Sequence, residues 1–425
     1  MTKNIDQDLK ILEDIFYKTI DLVDPVKQLY NLTIEPPEGR TFFAAAGKGA
    51  GRLSKAFKEN FQGEASGIVV IPENECCEDL GYRVFKSSHP VPSEAGVKAS
   101  KALLENVSSL CEKDLFIFVI SGGSSSLLPF PPEGFSLDDE INLNKSLLES
   151  RAPISIMNAF RSHFSRIKAG KLGQAAFPCP VVTLVVCDIP GDDISIVGSG
   201  PTFYKNYGSL DLSKLIDFYK ISLDKSILDF FLSKNKNAYK EKTNKINNKN
   251  SFTLSSGSLA IKAAANIARK NYGLNVMVLP ESVEEDSELL AASHAKVVKE
   301  VIKYDSPVKK PAFIISGGES IVNLPSKYGR GGRNSHFALA LAREIKGLPG
   351  VSGFAADTDG IDGNGTNAGA MITGNTFEKA KILGIDLLQY LNKYDSYVAF
   401  KKLQSLLISG PTGVNVNDIR AIIVR

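Results

Sequence analysis

The chain has 425 residues, of which 43% are hydrophobic and 23% charged. That composition supports two or three domain cores and excludes wholesale disorder. Lys and Arg total 50 against 47 Asp and Glu, a net charge of +3, so nothing points to a nucleic-acid partner. No apolar run reaches the ~18 residues of a membrane helix, so no membrane partner is expected. The opening MTKNIDQDLKILEDIF is polar and acidic, unlike a signal peptide. The five cysteines form no CxxC and read as reduced, mostly buried thiols of a cytoplasmic protein.

Helical spacing of Leu9, Leu12, Ile15 and Phe16 predicts an opening helix over 5–31. Apolar strand-like runs follow at 41–46, 67–71, 82–86, 115–121 and 181–188, alternating with helical patterns such as 93–107. Alternation of this kind with nearly all-apolar strands predicts a buried parallel sheet covered on both faces. The segment 234–250 holds six Lys, six Asn and one acid, and reads as a solvated linker. It suggests an N-terminal α/β domain over 1–245 and a C-terminal α/β domain over 246–425. Further strands are expected at 252–256, 275–279, 312–316, 351–357 and 419–425.

Glycine clusters follow several strands, where open α/β sheets bind ligands. In AAAGKGAGRL (44–53), Gly47 and Gly49 let an anion approach a helix N-terminus, and Lys48 adds a charge there. In ISGGSSSLL (120–128), Ser121, Gly122, Gly123 and Ser124 supply small donors for a phosphate or carboxylate. FVISGGSS (118–125) agrees with FIISGGES (313–320) at six of eight positions, so Gly317 and Gly318 are read in the same way. Arg161 and Lys168 lie in a basic stretch, 157–173, expected to be one helix and its end. Asp188 ends a strand in VVCDIPGDD. Glu319 follows the second Gly-Gly, and Arg333 follows Gly331 and Gly332 in a loop expected to be mobile. Asp357 and Asp359 fall in FAADTDGIDG, which lacks the closing Glu of a calcium loop but suits Mg²⁺. Many strand-end glycines, paired cations and acids, and no His/Cys cluster fit phosphoryl transfer. No strand–GxGxxG–helix unit with a following acid is present, which argues against a dinucleotide site.

These motifs are similar, in order and along most of the chain, to the class II glycerate kinases. AAGKGAGRL, SSHPVPSEAG with His89, ISGGSSSLL, VVCDIPGDD with GSGPT, SGGES, GRGGRN, DTDGIDG and GPTGVNVND carry the resemblance. It implies two α/β domains, the first with a mostly parallel, Rossmann-like three-layer sheet, and an active site in the interdomain cleft. It also implies Mg²⁺- and ATP-dependent phosphorylation of D-glycerate, at the 2-hydroxyl in archaeal-type members, and leaves a homodimer open. Lys48, Asp188 and Arg333 match the family's catalytic positions. Gly47, Gly49, His89, Ser121–Ser124, Arg161, Lys168, Gly317, Gly318 and Asn415 would bind substrate or nucleotide. Glu319, Asp357 and Asp359 would hold metal. The family also carries the name hydroxypyruvate reductase, so an NAD(P)H-dependent oxidoreductase is the alternative. Ser335 and His336 replace the usual Gln-Glu, and Ser150–Ala152 and Ile156–Asn158 also depart from the pattern; these bear on substrate preference.

Overall fold

A computed structural model describes residues 2–205, 207, 210–236 and 246–425. Most of the expected linker, and residue 245 at the expected domain boundary, lie outside them. The chain forms two compact units, one of Gln28–Cys187 with Asp193–Leu254, the other of Met1–Lys27, Asp188–Asp192 and Ser255–Arg425.

The first unit holds β1 (Thr41–Ala46), β2 (Ala65–Pro72), β3 (Arg83–Ser87), β4 (Leu115–Ile120) and β5 (Val181–Cys187). With β6 (Asn248–Ser256) they make a six-stranded sheet in the order β3-β2-β1-β4-β5-β6. That is the order of the doubly wound dinucleotide-binding sheet. The pairs from β3 through β5 are parallel. Every residue of β1, β4 and β5 is buried, so helices must cover both faces. The three-layer expectation holds. The basic stretch 157–173 is two helices, Ile154–His163 and Lys171–Ala175, rather than one. Phe164 departs from helical geometry and leaves Arg166 and Lys168 in the turn between them.

The second sheet comprises β7 (Asn275–Val278), β8 (Ala312–Ser316), β9 (Val351–Asp357), β10 (Gly369–Thr373), β11 (Leu406–Leu407) and β12 (Asp418–Val424). Its order is β11-β10-β9-β12-β8-β7. Only β7 and β8 pair in parallel, because the last strand enters antiparallel between β8 and β9. Apolar runs therefore signalled burial on both faces but not strand direction. Alternate residues feed two cores. Ile314, Ala355 and Ile422 pack with the helices Ser287–Tyr304 and Arg333–Glu344. Phe313, Ile315, Phe354 and Ile423 pack with the helix Gly257–Tyr272 and the opening helix Thr2–Leu22. The opening helix thus belongs to the C-terminal half, through Leu12, Ile15 and Phe16. It stops before Pro25, which starts a separate short helix, so the expected single helix is two. None of the five cysteines forms a disulfide, and only Cys179 and Cys187 are buried, which corrects the mostly buried expectation.

Candidate active site

In the first unit, two neighbouring parallel strands end side by side and carry the two glycine motifs. The Lys48 amide donates to Gly122 O at 2.9 Å, and the Ser121 hydroxyl donates to Lys48 O at 2.8 Å. Gly47 has φ +123°, and a side chain there would collide with Ser121. Glycine is therefore what allows the two loops to touch. Ser124 caps the turn by donating to Ser121 O at 2.7 Å.

His89 stands over Gly123, sharing a 2.8 Å hydrogen bond with Ser126. The Ser126 hydroxyl also lies within hydrogen-bond distance of Gly123 O, at 3.0 Å, which ties His89 to the second glycine turn. Burial, then the Lys48 charge, hold His89 below the usual imidazole range. The Lys48 side chain is exposed. The anion seat at Gly49 is taken by the Glu75 carboxylate, which accepts from the Gly49 amide at 3.0 Å. Burial pushes the Glu75 carboxyl up, against the pull of that amide, Lys48 and Arg52. Arg161 and Lys168 make other pairs. Lys168 is buried on Glu140 at 3.0 Å, and Arg161 donates to Asn144 at 2.8 Å.

The second unit holds a denser constellation. Arg333 opens the helix Arg333–Glu344. Its Nε lies 2.9 Å from Asp418, and its Nη2 lies 2.9 Å from Asp357 and 3.1 Å from Glu319. Burial works against the guanidinium charge, but Asp418, Glu319 and Asp357 outweigh it and hold the Arg333 pKa above its ordinary value. Burial pushes the Glu319 carboxyl up, with Asp418 and Asp188 adding to it and Arg333 opposing. Asp357 is pushed up to about 9 by burial, then by Asp418 and Asp359, despite Arg333. Three carboxylates thus crowd one guanidinium, and Arg420 lies 3.5 Å from the other oxygen of Asp418. Asp359 closes a tight turn, its amide donating to Asp357 and its carboxylate accepting from Ile361. Asn415 is half-buried between the buried Val414 and Val416.

The loop before Arg333 is not the mobile arm its glycines led one to expect. The Arg330 amide donates to Asp395, the Gly331 amide to Asn364, and a side chain at Gly332 would collide with Asp362. Here the glycines serve close packing. Asp362 accepts from the amides of Asn334 and Ser335 and so fixes the helix start that aims Arg333.

Asp418 and Arg420 escaped sequence reasoning. Asp418 is the last residue of GPTGVNVND and looked like part of a terminal loop. Arg420 is fully buried in β12 and donates to Gly317 O at 2.6 Å and Gly318 O at 2.9 Å, fixing the turn that carries Glu319. Gly318 has φ +87°, and any side chain would strike Val283. The two Gly-Gly motifs share only a strand end. Gly122–Gly123 leads into the short helix Ser124–Leu127, whereas Gly318 bridges to Val283.

The first unit thus gathers strand-end glycines beside an exposed lysine, and the second holds an arginine among acids; groups of these kinds are what α/β enzymes turn toward anionic substrates. Residues 11–232 match the family described as Domain of unknown function (DUF4147), and residues 312–418 match the MOFRL family. The chain is 34% identical to the D-glycerate 2-kinase of Thermotoga maritima over 413 residues, 96% of this chain and 97% of that one. It is 38% identical over 388 residues to an Agrobacterium vitis protein with a provisional hydroxypyruvate reductase name, 91% of this chain and 100% of that one. A crystal structure of glycerate kinase from Thermotoga maritima superposes with a TM-score of 0.88 at 33% identity, covering 99% of this chain and 100% of that one. The chain belongs to this family, which includes the glycerate 2-kinases.

Proposed function

We propose that this chain is a cytoplasmic glycerate 2-kinase that moves the γ-phosphoryl group of ATP onto the 2-hydroxyl of D-glycerate. The observation that carries the reading is Arg333, held on three strand- and loop-end carboxylates in a chain similar over nearly its full length to glycerate 2-kinases. The substrate oxygen bonds to phosphorus, the bond to the ADP oxygen breaks, and Asp188 takes the hydroxyl proton. Arg333 and Lys48 neutralise charge on the transferring group.

Among the described residues, no group of three or more His, Cys, Asp or Glu side chains could hold a metal ion. The raised carboxyls of Glu319 and Asp357 nevertheless suit a cation shared with substrate phosphates, the usual way Mg²⁺ binds. Glu319 and Asp357 would hold the Mg²⁺, with Asp359 beside them. Bound there, Mg²⁺ neutralises phosphate charge.

Phosphorus NMR of the products from D-glycerate and Mg·ATP tests the reading. ADP and 2-phosphoglycerate are expected. 3-Phosphoglycerate would overturn the choice of hydroxyl. NAD(P)H oxidation with hydroxypyruvate, and no phosphoryl transfer, would favour the reductase name of the Agrobacterium vitis relative.

A further inference from the structure

Ser316 ends β8 and pairs directly opposite Arg420 of β12, just as Ile314 pairs opposite Ile422. Both isoleucines lie in the core packed by the helix Ser287–Tyr304. Strand alternation puts Ser316 and Arg420 on that same face. An apolar pair is expected there. Instead the helix brings a third polar group, His294, onto the serine. His294, Ser316 and Arg420 are all buried. Polar groups carried into a core cost stability unless they are hydrogen-bonded.

These three are bonded, and in a fixed sense. His294 Nδ1 lies 2.8 Å from Leu290 O, and a carbonyl can only accept, so Nδ1 carries the proton. Burial, with the Arg420 charge adding to it and the Leu290 bond opposing, lowers the imidazole pKa to about 4. Near neutral pH the other nitrogen is therefore bare. Nε2 accepts from the Ser316 hydroxyl at 2.8 Å. The Ser316 oxygen in turn accepts from Arg420 Nε at 3.4 Å. Arg420 Nη2 donates to Gly317 O and Gly318 O, and its Nη1 lies 3.5 Å from Asp418. Glu319, which follows Gly318, and Asp418 both hold Arg333. Phe337 stands edge-on to His294, with ring centroids 5.2 Å apart, and limits the tilt of the imidazole.

We propose that His294 is a positioning residue for phosphoryl transfer, acting through Ser316 and Arg420 on the carboxylates that hold Arg333. The inference rests on the kinase reading above and deepens it. His294 is buried and acts only through these partners. Its bare nitrogen fixes the direction of the Ser316 hydroxyl, and the serine oxygen fixes the rotation of the Arg420 guanidinium. That guanidinium sets the Gly317–Gly318 turn and Asp418 together. Removing the acceptor at His294 frees the first link, and every later link then loses its aim.

The test compares Ser316→Ala, His294→Leu and His294→Gln in the full chain. Glutamine keeps an acceptor oxygen for Ser316, and leucine does not. Ser316→Ala and His294→Leu should each lower kcat by about tenfold or more, because small misplacements of catalytic groups are costly. The KM values for D-glycerate and ATP should change by less than about twofold, since the loss falls in the transition state. His294→Gln should recover most of the turnover lost in His294→Leu, which a merely space-filling role would not give. An unchanged kcat in Ser316→Ala would overturn the proposal. So would a glutamine variant no better than the leucine variant, or a loss confined to KM. If His294→Leu does not fold, the kcat of Ser316→Ala decides alone. If the wild-type chain forms no phosphoglycerate, the kinase reading fails, and nitrogen-15 NMR of the arginine side chains reads the coupling without activity. An Arg333 Nε–H resonance that moves in Ser316→Ala then supports the coupling, and one that stays in place overturns it.

Discussion

Arg333 donates from Nε to Oδ1 of Asp418 at 2.9 Å, across 85 residues of chain. The bond ties the start of the helix Arg333–Glu344 to the start of the central strand β12. Asn334 donates to the same oxygen at 2.7 Å. The arginine is therefore held in place by its partners rather than carried on a closing loop. Arg333→Ala should lower turnover by about 10³-fold, as loss of an arginine from a phosphoryl-transfer site does, with a much smaller effect on glycerate binding. Arg333→Lys keeps the charge but loses the fork, so it should fall between Ala and wild type. Steady-state kinetics decide it. A normal kcat with only a raised KM would place Arg333 in ground-state binding instead.

Asp418 is fully buried, with Arg333 on one oxygen and Arg420 3.5 Å from the other. Asp418→Asn leaves two arginines short of a counter-charge in the interior. Breaking a buried pair in this way costs about 3–5 kcal/mol. Urea unfolding should show a loss of that order in the C-terminal unit. A loss under ~1 kcal/mol would mean that the remaining acids compensate.

Lys48 is exposed at the end of β1, and its backbone, not its side chain, makes the contacts that hold the loop. Lys48→Ala should change stability by no more than ~0.5 kcal/mol. Turnover should nevertheless fall by about 10²-fold or more. Unchanged turnover would remove Lys48 from the mechanism.

His294 gives the C-terminal unit a pH dependence. Burial, against a hydrogen bond to Leu290 O and with help from the Arg420 charge, lowers its pKa to about 4. The unfolded imidazole titrates near ~6.5, so below that pH the unfolded chain binds the extra proton. Stability should be flat above pH ~6.5, fall as the pH drops toward 4, and lose about 3 kcal/mol in total from this group. Urea midpoints at pH 7.5, 5.5 and 4.5 measure the slope. His294→Gln should flatten it, and an unchanged slope would locate the acid sensitivity elsewhere.

Phe16 is fully buried from the opening helix, edge-on to Phe354 with ring centroids 5.7 Å apart. Phe16→Ala should cost about 3–5 kcal/mol, the usual penalty for emptying an aromatic core position. Hydrogen exchange should show the loss in β9 and β12 rather than in β1 and β4. Loosening confined to β1 and β4 would contradict the packing seen here.

The sequence by itself determined the strands and the places where chemistry gathers. TFFAAA, AFIIS and VSGFAAD became strands at the expected residues, because a run buried on both faces must be apolar throughout. Lys48 and the Ser121–Gly122 pair were legible as two glycine turns after strands, since such turns have a local cause; that the two touch was not. Strand direction in the second sheet was not legible. An apolar strand reads the same whichever way it runs, and only the entry of β12 between β8 and β9 set the pairing. The same insertion brought Asp418 to Arg333 and Arg420 under the Gly317–Gly318 turn. The basic stretch around Lys168 showed charge but not its partner, because Glu140 meets it only through the fold, 28 residues away along the chain. Local spacing encodes which backbone can form; long-range pairing of buried charges depends on which strands become neighbours, and that is decided only when the cores close.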